Sequence, residues 1–72
     1  GIHPEALPAA KAAWAAGQQG KFWEFHDALF TNQTALGETL YRETAKALGL
    51  DVQKFDRDRA SQAAAAAIAQ DV

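Results

Sequence analysis

Apolar residues recur along this chain at three- and four-residue intervals and never alternate over a useful length, which predicts helices throughout and no strand. The first helix is expected over 4–17. Pro4 suits a first turn, where the missing N–H has no intrahelical partner to lose, and Pro8 offers a later start. Leu7, Ala10, Ala13 and Trp14 fall on one face. Because that face is mostly alanine, a neighbouring helix can approach closely, and Trp14 would supply most of the contact area. Gly17 is the expected stop, opening a Gly17-Gln18-Gln19-Gly20 turn.

The second helix, expected over 21–32, holds the densest pattern in the chain. Phe22, His26, Leu29 and, one turn round, Phe25 form a main stripe; Trp23 and Phe30, seven apart, form a second. Lys21, Glu24 and Asp27 are left for solvent. A helix apolar over so much of its circumference is expected to lie buried between neighbours as the central element. That reading places Phe22, Trp23, His26, Leu29 and Phe30 in the core.

A short polar loop, 31–34, leads to a third helix over 37–48, with Leu40, Tyr41, Thr44, Ala45 and Leu48 on its buried face. Tyr41 is expected at the core edge, its hydroxyl at the surface. Gly49 reads as a left-handed C′ residue and Leu50 as the apolar residue that follows it. Asp51 is the expected N-cap of a fourth helix, 52–59, carrying Val52 and Phe55. The chain then turns near Arg59 and Ala60. Ser61 caps a fifth helix, 61–72, whose large apolar residues are Ile68 and Val72. The predicted fold is all-α, a small bundle of four to five short helices forming one domain over 1–72.

Composition narrows the possible functions. A domain of 72 residues buries only about 60% of the surface of its unfolded chain and is marginal alone. With no cysteine it has neither a disulfide nor a thiolate metal site. His3 and His26 lie too far apart to form a ligand pair. A net charge of −2, with scattered basic residues, argues against a nucleic-acid surface. The longest apolar run, Ala63 to Ala69, falls well short of the roughly 20 residues of a membrane span. The chain does not begin with Met, and its last helical pattern runs on without a terminator. It is expected to be an excised piece of a larger protein.

Candidate chemistry is sparse. His26 lacks a carboxylate three or four positions away, since positions 22 and 30 are phenylalanine, and no serine or cysteine stands near it as a nucleophile. It is expected to be a buried histidine bonding a loop carbonyl. Asp51, Asp56 and Asp58, interleaved with Arg57 and Arg59, lack the central glycine and closing glutamate of a calcium loop, so a solvated helix end is expected. The Gly17–Gly20 turn lacks the lysine and preceding strand of a phosphate loop. No catalytic, cofactor-binding or metal residue is assigned, and no cofactor.

The string His3-Pro4-Glu5-Ala6, the alanine-rich helix, the run Gln19-Gly20-Lys21-Phe22-Trp23-Glu24-Phe25-His26-Asp27-Ala28-Leu29-Phe30, and Ala47-Leu48-Gly49-Leu50-Asp51 with Phe55 together resemble the DsbA-like thiol–disulfide oxidoreductases. In that family a helical domain is inserted into a thioredoxin fold, and the resemblance covers nearly all of the chain. It implies a parent enzyme, exported to the bacterial envelope, whose Cys-x-x-Cys pair exchanges disulfides with secreted proteins through a low-pKa thiolate. A cis-proline loop would bind the substrate strand. Both features would lie outside these residues. The chain itself would be a cap that shapes the substrate groove, inactive alone. Its partners would be the remainder of the thioredoxin fold and, through the parent, thiol-bearing secreted proteins and a redox partner. Two alternatives stand beside this one. The first is the insert of a glutathione-dependent thioredoxin-fold transferase or isomerase. The second is an independent module that binds a partner helix through Trp14 and the Ala/Ile face of the last helix.

Overall fold

The computed structural model describes residues 6–69; the expected start at Pro4 and the positions of His3 and Val72 lie outside them. Five helices follow in order: α1 (Ala6–Gly17), α2 (Phe22–Thr31), α3 (Glu38–Ala47), α4 (Val52–Arg59) and α5 (Gln62–Ala69). A single 3₁₀ turn, Gln33–Ala35, stands between α2 and α3 where a polar loop was expected. Among the described residues there is no strand, so the fold is the all-α bundle that the periodicity predicts.

The central element is α1, not the aromatic α2. Helix α1 packs against all four of the others, whereas α2 packs chiefly against α1 and α3. The physical reason is side-chain size: Ala12, Ala15 and Ala16 are fully buried and Ala13 nearly so. Alanines let several helices approach one axis at once, and a helix ringed with aromatics could not. Pro8 is tolerated because it falls in the first turn of α1, where the N–H needs no intrahelical partner. The face expected to receive a neighbouring helix is only half covered: Ala13 is buried and Trp14 half-buried, but Leu7 and Ala10 are exposed.

The largest fully buried side chains are Tyr41, Phe25 and Phe55, one each from α3, α2 and α4. The Phe25 and Phe55 rings meet at 5.4 Å between centroids. Tyr41, expected at the core edge, is therefore a core residue. Thr44, Ala45, Leu40 and Leu48 face the interior as their spacing predicts.

Two glycines close helices by the same hydrogen-bond pattern. Gly49 has φ +76°, its N–H donates to the Lys46 carbonyl, and the Leu50 N–H donates to the Ala45 carbonyl. This is the Schellman end expected there. At α1 the left-handed residue is Gly20, at φ +78°, with Gly20 N–H on Gly17 and Lys21 N–H on Ala16. Gly17, the expected stop, serves a different need. A Cβ added to it would stand 3.3 Å from the Phe22 Cβ, so the glycine permits the close entry of α2.

Asp51 and Ser61 cap α4 and α5 as expected: Lys54 N–H donates to Asp51 Oδ1 at 3.1 Å, and Ala64 N–H donates to Ser61 Oγ at 3.1 Å. Gln19 joins distant parts of the chain. Its side-chain amide donates to the Asp51 carbonyl at 3.1 Å and accepts from the Asp51 N–H at 2.9 Å. The α1–α2 turn is thus tied to the start of α4.

Candidate functional site

The polar residues weighed as chemistry prove to be structural. Arg59, with only 12% of its side chain exposed, donates to Glu38 at 2.6 Å and to Asp56 through Nε at 3.0 Å. Its guanidinium also lies 5.3 Å from the centre of the Phe55 ring. Arg42 stands 3.4 Å from the other Asp56 oxygen, and Lys54 donates to Asp58 at 2.9 Å. Of the carboxylates read as a solvated helix end, Asp56 joins Arg42, Arg59 and Glu38 in an ion-pair network that fastens α3 to α4, while Asp51 caps α4 and Asp58 pairs within it. The hydrogen bond from Arg59 holds the Glu38 carboxyl below the usual carboxylate range, and the same bond raises Arg59. Among the described residues, no group of three or more carboxylate, histidine or cysteine side chains could hold a metal ion.

His26 is neither buried nor bonded to a loop carbonyl. About half of its side chain is exposed, and its Nδ1 lies 3.5 Å from Asp27. The ring stacks on Phe22 at 6.0 Å with an interplanar angle of 20°, and meets the edge of Trp23 at 5.6 Å. Phe22 and Trp23 are themselves in T-shaped contact at 5.0 Å. Residues one apart on a helix point to different faces, but these three rings are wide enough to form a continuous cluster along α2. It is an aromatic patch with an imidazole in it, without a nucleophile and without an acid set at hydrogen-bonding distance.

That patch overturns the expected core assignment. Leu29 is buried, but Trp23 and Phe30 are each 68% exposed and Phe22 is 37% exposed. The residue that α2 sends into the centre is Phe25. The helix presents one stripe to α1 and α3, and the described residues leave Trp23 and Phe30 largely uncovered.

Beside the patch a groove of about 380 Å³ opens between α1, α2 and α5. Its floor is Ala9, Ala10 and Ala13, its walls include Trp14, Phe22 and Phe30, and Ile68 closes one side. Among the described residues that line it, only His26 and Gln33 are polar, and none is a carboxylate, lysine or arginine. Such a site can hold an apolar group and offers almost nothing to orient a charged one. Ala10, Ala13 and Trp14 of the predicted α1 stripe line this groove, but their spacing is that of a buried face as much as of an open one.

The described helices contain no segment long and apolar enough to cross a membrane. Residues 3–72 match the family model of the DSBA-like thioredoxin domain. The chain belongs to that family. It is also 44% identical over 71 residues to a Na(+)/H(+) antiporter NhaA 3 of Salinispora tropica, a match covering 99% of the chain and 11% of that protein. A Na(+)/H(+) antiporter NhaA 1 of Mycolicibacterium gilvum is 45% identical over 56 residues, covering 78% of the chain and 9% of the relative. A Na(+)/H(+) antiporter NhaA of Herminiimonas arsenicoxydans is 40% identical over 70 residues, covering 97% and 11%. The chain thus spans about a tenth of the length of the curated relatives it matches. No solved structure matches it.

Proposed function

We propose that this DSBA-like segment is the helical insert of a thioredoxin-fold disulfide oxidoreductase, a cap that shapes the substrate groove and is inactive alone. The observation that carries this reading is the coincidence of a match over residues 3–72 with an all-helical, cysteine-free unit. Thiol–disulfide exchange needs a thiolate that attacks and a sulfur that leaves. With no sulfur in these residues, the exchanging pair belongs to a Cys-x-x-Cys elsewhere in the parent. There a substrate thiolate attacks the disulfide, the second cysteine departs as a thiolate, and a second substrate thiol resolves the mixed disulfide. Two electrons pass to the enzyme pair. A parent of this kind works on the extracytoplasmic side, where disulfides persist.

The deciding experiment reads the parent gene and assays its product. A Cys-x-x-Cys on the N-terminal side and a proline loop on the C-terminal side are expected, with oxidation of a dithiol peptide that is lost when either cysteine becomes serine. Absence of the pair overturns the redox assignment.

The names of the relatives favour a second reading of the parent. Each of the relatives described above is a Na(+)/H(+) antiporter about nine times the length of this chain. In this reading the DSBA-like domain is an appendage of a transport protein and is held at a membrane by it. Parent sequence with repeated apolar stretches of about 20 residues supports this reading, and a short parent without them excludes it.

A further inference from the structure

We propose that a charged cavity between α1, α3 and α4 is a docking site for an acidic segment of a partner protein, a carboxylate side chain beside an apolar residue. The cavity measures about 390 Å³ and shares no lining residue with the apolar groove. Lys11 of α1, Glu38 and Arg42 of α3, and Asp56 and Arg59 of α4 line it. Three cations against two carboxylates leave a local excess of positive charge. The chain as a whole has a net charge of −2, so this excess runs against the overall sign.

The groups still open to a ligand decide its chemistry. Arg59 is fully engaged, with Nη1 on Glu38 and both Nε and Nη2 on Asp56 Oδ1. Asp56 Oδ2 faces Arg42 Nε at 3.4 Å, so both Asp56 oxygens are taken. Arg42 enters that pair through Nε alone, which leaves its two terminal nitrogens for a ligand. The Lys11 ammonium has no ion-pair or hydrogen-bond partner among the described residues. The cavity therefore presents donors from two helices and few acceptors, which suits an anion and repels a cation. The planar fork of Arg42 matches a carboxylate in particular. The remaining lining shows that this carboxylate is carried on a larger body. Leu7, Pro8 and Ala60 form an apolar lip, and Leu7 is 48% exposed. The methylenes of an acidic side chain and an adjoining apolar residue would cover that lip, whereas a free inorganic anion would leave it bare.

The test is a two-dimensional NMR titration of the 72-residue chain at low ionic strength with a short capped peptide of alternating glutamate and leucine. Its glutamine counterpart and inorganic phosphate are titrated in parallel. The glutamate peptide should give saturable shifts at Leu7, Lys11 and Arg42 that weaken with added salt, and the glutamine peptide none. Lys11→Gln and Arg42→Gln should each weaken binding about tenfold, the loss of one charge-assisted contact. Lys21→Gln removes the same charge beside α2 and should leave binding unchanged. Lys11 makes no contact that holds the bundle together, so Lys11→Gln decides the matter even if Arg42→Gln fails to fold. The absence of saturable shifts overturns the site, as do equal shifts with the glutamine peptide or an equal loss in Lys21→Gln. Phosphate binding as tight as that of the peptide overturns the protein segment and assigns the cavity to a small free anion. None of these readouts depends on a Cys-x-x-Cys in the parent, so this site and the proposed function stand or fall separately.

Discussion

Residues of one type divide sharply by place. Phe25 and Phe55 are fully buried and in contact, while Phe30, five residues along the same helix from Phe25, is mostly in water. Phe25→Ala or Phe55→Ala should therefore cost about 3–5 kcal/mol, through lost transfer energy plus a cavity. Trp23→Ala and Phe30→Ala, which the aromatic pattern would rank just as high, should each cost below about 1 kcal/mol in the isolated chain. Urea unfolding of the four variants checks both halves, and a Trp23→Ala loss as large as that of Phe25→Ala would put Trp23 in the core. Periodicity could not make this division. Helix α2 offers apolar side chains at Phe22, Trp23, Phe25, His26, Leu29 and Phe30, which together surround most of its axis. Which stripe is buried depends on where α1 and α3 stand, and that is a tertiary fact.

Element boundaries were far more legible, because they are written in local chemistry. Asp51 and Ser61 as caps, and Gly49 followed by Leu50, can be read directly, since each answers the unpaired groups of its own helix end. Gly20 was the harder case. Two glycines flank the α1–α2 turn, and only the backbone shows that Gly20 takes the positive φ while Gly17 makes room for Phe22. Gly49→Ala should cost about 1–2 kcal/mol by placing a Cβ in the left-handed region.

The α3–α4 network was the least visible element feature, because Arg59 and Glu38 lie 21 positions apart. Its pH dependence has a definite sign. Glu38 is held below its ordinary value of 4.5 by the bond from Arg59, so its contribution is complete above that value. It is lost as pH falls through the lowered folded value. Glu38 is two-thirds exposed, so the effect should stay below about 1 kcal/mol and shrink with added salt. Glu38→Gln should remove that part of the acid limb of a stability-versus-pH curve. An unchanged acid limb would show that the bond contributes nothing in solution.

For the molecule as a whole, the resemblance in the run from Gln19 to Phe30 pointed to the family that residues 3–72 match. The open groove was not legible, because the alanine face that lines it has the same spacing as a buried one. With a radius of gyration of 11.1 Å the bundle is as compact as a domain of its length should be, close to the expected ~11 Å. It still leaves its largest aromatic surface uncovered. Those facts together predict a unit that folds alone but gains stability from its parent. Fully burying a phenylalanine side chain is worth about 1.5–3 kcal/mol, and Trp23 and Phe30 each have about two-thirds of their surface left to bury. After the cost of ordering whatever part of the parent covers them, a net gain of about 2 kcal/mol is expected, which raises the melting temperature of a domain this size by roughly 8–16 °C. The helical signal of residues 6–69 should therefore melt at least about 8 °C higher in the parent than in the isolated chain. The double variant Trp23→Ser/Phe30→Ser should erase most of that difference by destabilising the parent, with little change in the isolated chain. If the variant destabilises both proteins equally, these rings act within the bundle and the parent does not cover them.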